Sequence, residues 1–325
     1  MDTVLAYQYI LILQISFKLK KMNKVEIHLK YMKFKSHVKS IPILFPIIRY
    51  IKWRIYRPIY IKFWSLLRNL EYNLKNKGFI KWNQNEIKLL KLKNSHIGES
   101  AFIIGNGPSL SIKDLDKLHS KGIFCFAANR INLVFEKTQW RPNCYLALDR
   151  QIYRNNDPTV PEVIKANIEL YTFGKEAYEG IPKTLKKDNI LFFERKTNSY
   201  YSPINEFSNN ALKYIVDGFT VTYAAMQLAY YMGFKNIYLL GCDCNYSKQV
   251  NSNGKVIDTG EKTTYFDKRY DPNNANIGYV KGMYEAYESA KKFSEGKDFK
   301  IYNASRGGKL EIFNRVNIDT LLEQF

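Results

Sequence analysis

The sequence predicts an α/β fold: a Rossmann-like, mostly parallel sheet with helices on both faces, preceded by a basic helical N-terminal appendage. Three observations predict it. From residue 98 onward, short apolar runs alternate with helical patterns, the mark of successive strand–helix units. Glycines punctuate the junctions, at Gly105, Gly122, Gly233 and Gly241. Charge is divided unevenly: residues 1–100 carry 20 Lys/Arg against 5 Asp/Glu, whereas residues 101–325 carry 30 against 25. The domain reading is therefore residues 1–97 as a basic, aromatic, mainly helical region and residues 98–325 as one α/β domain.

The elements follow in order. Ser100–Ile104 is a short apolar run, consistent with a buried strand. Gly105–Leu110 is a turn, and residues 111–121 are helical, with Ile112, Leu115 and Leu118 on one face and Gly122 as the stop. Ile123–Ala128, Tyr145–Leu148 and Ile168–Phe173 are the next strands, with ILFFE at 190–194 a further one. Thr220–Met232 is a helix closed by Gly233, and Asn236–Leu240 a strand ending at Gly241. A polar stretch from about 244 to 276 exceeds ordinary connection lengths and is expected to be a functional lid or partly unstructured. A helix over 279–294, a strand at Lys300–Asn303 and a helix over 316–324 complete the chain.

Composition bounds the function classes. The chain has 325 residues, 46% hydrophobic and 15% aromatic, enough for a sizeable core and against global disorder. The formal charge of +20 resides mostly in the N-terminal region, so the α/β domain itself has no strong polyanion-binding charge, and no nucleic-acid motif is present. Cys125 and Cys144 sit in apolar runs as small core residues. Cys242 and Cys244 flank Asp243 without the further ligands a zinc site needs, so no metal ligands are assigned. This cysteine usage fits a reducing cytoplasm. Residues 4–17 are apolar but are followed, not preceded, by lysines, the wrong polarity for a secretory signal. No uncharged stretch is long enough to span a bilayer. Residues 41–70 interleave Trp53, Tyr56, Tyr60, Phe63 and Trp64 with Arg49, Lys52, Arg54, Arg57 and Lys62. That is the composition of a segment lying at an anionic membrane surface, or of a helical hairpin packed on the core with its cations snorkelling to water.

Candidate site residues lie where open α/β sheets gather ligands, at the carboxyl ends of strands. Gly105, Asn106, Gly107 and Ser109 form a Gly-Asn-Gly-Pro-Ser-Leu turn between the first strand and a helix. Glycines there permit close approach to backbone amides, and a helix start favours an anion. It is not the dinucleotide fingerprint, because Leu110 stands where the third glycine would be. Asn129 and Asp149 end the second and third strands; helix capping is the alternative use of each. Gly241 and Asp243 follow the strongest strand, and Asp243 could accept from a ribose or sugar, ligate Mg2+ or act as a base. Thr220 and Thr222 place hydroxyls at a helix start. Asn303 closes a late strand, and the following Arg306 and its glycines could close over a phosphate or form an ordinary turn.

These segments in this order (FIIGNGPSL, CFAANRINL, TVTYAAMQLAYYMGFKNIYLLGCDCNY and IYNASRGGKLEIFNRV) resemble a family. It includes bacterial flagellar motility accessory factors and archaeal 6-hydroxymethylpterin diphosphokinases, and is related to bacterial sialyltransferases that use CMP-sialic acid. The resemblance covers about residues 98–316. It implies that Asn106, Gly107 and Ser109 sit at the nucleotide, with Asn129 nearby. Asp149 stands where the sialyltransferases carry asparagine. Tyr265 matches one of their phosphate-contacting tyrosines and Tyr246 stands near the other. Their catalytic histidine follows an Ile-Gly pair; here Ile277-Gly278 is followed by Tyr279. From residue 98 on, His119 is the only histidine, so a base would be Asp243, another carboxylate, or Tyr279 with a depressed pKa.

The expected function is a glycosyltransferase with a nucleotide-sugar donor, such as CMP-sialic acid or a related CMP-nonulosonate, and a glycan or glycoconjugate acceptor in surface polysaccharide or glycoprotein assembly. It needs no cofactor in that reading. It would be cytoplasmic, held at the inner membrane face by its N-terminal region. The alternatives are an ATP- and Mg2+-dependent diphosphokinase and a non-catalytic nucleotide-sugar-binding protein.

Overall fold

The structure is a computed structural model that describes residue 50 and residues 55–149, 152–153, 157–178, 180–181, 183–185, 187–197, 206–251, 255–271 and 276–325. It divides into two compact units, Met1–Tyr60 and Ile61–Phe325. The apolar run at 4–17 and most of the aromatic–basic segment before residue 55 lie outside the described residues. Among the described residues, no helix is long and apolar enough to cross a membrane.

The second unit is built on eight parallel strands in the order β12-β11-β8-β1-β2-β3-β4-β5. These are β1 Ser100–Ile104, β2 Cys125–Ala128, β3 Cys144–Ala147, β4 Leu170–Gly174, β5 Ile190–Phe193, β8 Asn236–Leu240, β11 Lys300–Asn303 and β12 Asn314–Arg315. Two short pairs stand apart: β6 Arg195–Lys196 with β7 Ile215–Val216, and β9 Lys248–Val250 with β10 Val256–Asp258. The Rossmann-like reading holds, with every pairing in the main sheet parallel.

Both faces of the sheet are covered because its central strands, β1 to β4, are buried almost end to end. In β1, Ala101 and Ile103 enter one core cluster and Phe102 and Ile104 the other, the two-residue alternation of a strand buried on both sides. One face is covered by α5 Val221–Met232 and α6 Val280–Ser294, through Tyr223, Leu228, Met283 and Tyr287. The other is covered by α3 Ile112–Ser120, α4 Thr159–Lys165 and α7 Ile318–Leu322, through Leu115, Leu118, Val163 and Leu321. Each such side chain taken out of water contributes about 1.5–3 kcal/mol. Gly233 ends α5 in a left-handed conformation at φ +94°, which only glycine adopts without strain.

Two helices ahead of residue 98 also belong to this unit. From Ile61 onward, α1 Arg57–Asn76 buries Ile61, Ser65 and Lys75 and leaves Phe63 and Leu66 exposed. Lys75 Nζ joins Glu71 of the same helix at 2.7 Å to Glu86 of α2 Gln84–Leu92 at 2.6 Å. Asn83 and Glu86 form a reciprocal capping box at the start of α2. The Asn85 amide donates to Phe192 O at 2.6 Å and accepts from Phe192 N at 2.8 Å, which occupies the open edge of β5 as a neighbouring strand would.

Candidate functional site

Strand order places the site. The chain winds outward from β1 to β5 and then returns to lay β8 on the other side of β1. The switch point therefore lies between β1 and β8, where doubly wound sheets open a crevice at the strands' carboxyl ends. A cavity of about 630 Å³ opens there, within the size range of small-ligand sites. Gly105, Asn106, Gly107, Asn129, Asp149, Thr220, Thr222, Gly241, Asp243, Tyr246 and Tyr265, all singled out in the sequence, line it together. Backbone strain concentrates here too. Asn129, Phe219 and Cys244 line the cavity with φ of +55°, +60° and +56°, a region side-chain-bearing residues rarely occupy.

The glycine turn works differently from the sequence expectation. The Gly105 amide donates to Leu240 O at 2.7 Å, the Gly107 amide to Gly241 O at 2.8 Å and the Ser109 amide to Asp243 Oδ2 at 3.1 Å. Those N–H groups tie the turn after β1 to the turn after β8 and are not free to hold an anion. A Cβ on Gly107 would lie 1.9 Å from Asp243 Oδ2, so glycine is required there by the packing of the two turns. Ser109 belongs to this tie and does not line the cavity. The helix start expected to favour an anion is capped in position by Ser111, whose side chain makes no capping bond.

Asn106 faces the cavity as expected. Its Nδ2 donates to Ala128 O at 3.1 Å and its backbone O accepts from Phe266 N at 3.0 Å. With the amide fixed in this way, Oδ1 is buried and has no hydrogen-bond partner. Asn245 Oδ1 is in the same condition. Asn129 and Asp243 Oδ1 share it too; buried polar atoms are ordinarily paired, so four such acceptors at one cavity make it suited to a polar group with donors.

Asp243 is 2% exposed. Burial raises its pKa, opposed by hydrogen bonds from Ser109 and the charge of Arg315. Its backbone O accepts from the Lys309 amide at 2.7 Å, so the residue joins three turns at the carboxyl ends of β1, β8 and β11. Asp149, by contrast, is exposed at the cavity. Thr220 caps α5 by accepting from Thr222 N at 3.3 Å, and both residues line the cavity.

Within the 244–276 segment, the described residues pair β9 with β10 antiparallel, and the Phe266 amide ties the segment to the Asn106 backbone O. The segment brings Tyr265 and Tyr270 into face-to-face contact, with ring centroids 3.8 Å apart. Burial pushes the phenols of Tyr246, Tyr265 and Tyr270 up from their ordinary value, so they stay protonated and can donate.

Three expected residues are placed elsewhere. Tyr279 packs edge-on against Phe219, at 4.8 Å between centroids, and is not among the residues that line the cavity. Asn303 is fully buried; it donates to Leu310 O at 2.7 Å and accepts from Ser305 N at 3.0 Å, which shapes a turn. Arg306, expected to close over a phosphate, instead grips Asp114 with two bonds of 2.7 Å and also pairs with Asp319. Sequence reasoning missed Arg195, Asp217 and Tyr270. Arg195 could have been found by the strand-end rule, since it follows the strand ILFF; the others stand in loops with no periodic signal. Among the described residues, no group of three or more His, Cys, Asp or Glu is placed to hold a metal ion. Cys125 and Cys144 are buried free thiols, and burial pushes the first up to about 12.

The MAf glycosyltransferase from Magnetospirillum magneticum AMB-1 is similar at 15% identity and a TM-score of 0.45, over 73% of this chain and 38% of that one. This chain thus corresponds to well under half the length of that protein. The sialyltransferase CstII from Campylobacter jejuni, solved in complex with a substrate analogue, cytidine-5'-monophosphate, is similar at 15% identity and a TM-score of 0.39, over 68% of this chain and 85% of that one. No curated protein sequence matches. A family model described as 6-hydroxymethylpterin diphosphokinase MptE-like matches residues 66–249, more than half of the chain, and the protein belongs to that MptE-like family.

Proposed function

We propose that the protein is a glycosyltransferase that holds a nucleotide-sugar donor in the crevice between β1 and β8. The observation that carries this is the set of buried, unpaired acceptors at Asn106 and Asn245 beside phenol, threonine and carboxylate groups. Such a lining matches a ligand rich in hydroxyls and N–H groups, as a ribose, a base and a sugar are. The donor is a nucleotide sugar of the CMP-nonulosonate kind, and the acceptor a surface glycan or glycoconjugate.

In this reading an acceptor hydroxyl attacks the anomeric carbon. The bond from that carbon to the phosphate oxygen breaks, and its electrons leave with the nucleoside phosphate. Tyr246, Tyr265 and Tyr270 donate to the departing oxygens, as protonated phenols in a water-poor site can do strongly. Asp149, the exposed carboxylate at the cavity, takes the acceptor proton. Asp243 holds the turns in place, and Tyr279 supports Phe219.

The test is release of free nucleotide from a panel of CMP-, UDP- and GDP-sugars, with and without acceptor glycans. Turnover of one donor supports the reading. Binding without any turnover leaves a nucleotide-sugar-binding protein. A second reading, an ATP-using diphosphokinase, is favoured by family membership and by the three aspartates at the cavity, Asp149, Asp217 and Asp243. That chemistry needs Mg2+, which the ligand's own phosphates would have to hold with at most one or two of these carboxylates, since the described residues form no cluster placed to hold a metal. ATP turnover abolished by EDTA would establish the second reading over the first. We further propose that the N-terminal region holds the enzyme at an anionic membrane surface, which the exposed Phe63 and Leu66 of α1 support.

A further inference from the structure

Arg195 is the one Lys, Arg or His among the described residues that line the crevice, and the mechanism above does not use it. Three carboxylates, those of Asp149, Asp217 and Asp243, line the same space. An anionic part of a ligand would be repelled near these carboxylates and attracted at Arg195.

The guanidinium is held from three directions. Arg195 opens the β6–β7 pair, in register with Ile215. Its Nη1 donates to Leu148 O at 3.0 Å, at the carboxyl end of β3. Its Nη2 pairs with Glu176 at 2.5 Å, on the turn after β4, and the side chain is 13% exposed. The remaining Nε–H is buried and has no acceptor. A guanidinium fixed at both terminal nitrogens, with its Nε–H unspent at a residue that lines the cavity, is prepared for a further acceptor. Glu176 and Leu148 O set its orientation, so the open N–H needs no reordering when a ligand arrives.

We propose that Arg195 is a specificity-determining residue that anchors an anionic group of the ligand through one oxygen, of either a carboxylate on the transferred sugar or a phosphate. This rests on the reading of the crevice as the donor site. The residue selects anionic ligands over neutral analogues of equal size, since a neutral analogue leaves the guanidinium N–H unpaired.

The experiment titrates wild-type protein and the Arg195→Gln, Arg195→Lys and Glu176→Gln variants with CMP, CMP-N-acetylneuraminate and UDP-N-acetylglucosamine, reading dissociation constants by calorimetry and folding by melting temperature. Arg195→Gln is expected to weaken at least one ligand tenfold or more. Loss for CMP-N-acetylneuraminate with CMP unchanged identifies a sugar carboxylate; equal loss for both identifies the phosphate. Arg195→Lys recovers part of the affinity, because it keeps the charge and loses the fork. Glu176→Gln keeps the affinity or tightens it. Unchanged affinities in Arg195→Gln overturn the proposal. So does a loss in Glu176→Gln as large as in Arg195→Gln, which would make Arg195 a structural strut only. If the wild-type protein takes none of the three nucleotides, the donor reading fails on its own. Arg195 is then tested with millimolar phosphate and free N-acetylneuraminate: thermal stabilisation lost in Arg195→Gln sustains the anchor, and stabilisation equal in both proteins, or absent from both, removes it.

Discussion

The Ser109 amide donates to Asp243 Oδ2 across 3.1 Å, and this bond joins the turn that leaves β1 to the turn that leaves β8. These turns come from positions more than 130 residues apart, and together they form the wall of the crevice. The carboxylate needs the space above Gly107, and the backbone of Asp243 in turn accepts from Lys309. The geometry of the crevice is thus held by one buried acid.

Gly107→Ala should destabilise the fold by about 1–3 kcal/mol, the usual cost of forcing a methyl into filled space. The new Cβ would meet Asp243 Oδ2 at 1.9 Å. Urea denaturation checks this, and an unchanged midpoint would show that the two turns are free to separate.

Asp243 also gives stability a pH dependence of known sign. Burial raises its folded pKa above the unbound value of 3.8. The folded state then binds the proton more tightly than the unfolded chain does. This group's contribution is most favourable below 3.8, and declines as pH rises through the raised folded pKa. Asp243→Asn should remove that component. Denaturation midpoints of both proteins from pH 4 to pH 8 (roughly the carboxylate window) should diverge in this direction. Parallel curves would mean that the carboxyl titrates as it does in the unfolded chain.

Asn106→Ala removes the buried Oδ1 acceptor together with the bond to Ala128 O. Nucleotide affinity should fall about tenfold, the equivalent of one good hydrogen bond of roughly 1.4 kcal/mol. Unaltered binding by calorimetry would move the ligand away from this turn.

Tyr265→Phe should reduce turnover by roughly a hundredfold, on the scale of removing one donor to a developing oxyanion, with little change in donor affinity. Because burial raises the tyrosine pKa values, the activity profile should show no loss from phenol ionisation at neutral pH. Donor hydrolysis measured at saturating donor is the check. A variant with full turnover would remove Tyr265 from the chemistry.

Phe63→Ser combined with Leu66→Ser should lower binding to anionic vesicles by tenfold or more without changing the melting temperature, since both side chains are exposed on α1. Co-sedimentation with phosphatidylglycerol vesicles reads it. Equal binding by wild-type and variant protein would show that this helix face does not enter the surface.

The strands and helices of the α/β domain were legible because each is a continuous apolar run or a periodic one between glycines. β1, β8 and β11 match their expected bounds, and α3, α5 and α6 come within two residues of theirs. The short pair β6–β7 and the edge strand β12, each two residues long, carry no periodic signal and were not legible. The helices of residues 61–92 read as an appendage because their exposed surface is basic and aromatic. Only the packing of Trp64, Tyr72 and Leu89 on the core places them with the sheet.

By itself, the sequence determined the kind of fold, the strand ends at which the crevice opens, and most of the side chains that gather there. Local pattern suffices for these, since a strand's direction and end are set by residues next to one another. Tertiary structure alone decided what each group does. It spent the Gly105 and Gly107 amides on Leu240 and Gly241, buried Asp243 beneath the glycine turn, engaged Arg306 with Asp114, and brought Arg195 into the crevice. Whether a donor is free, or a carboxylate exposed, depends on partners brought close by folding from distant parts of the chain, and no local pattern records them.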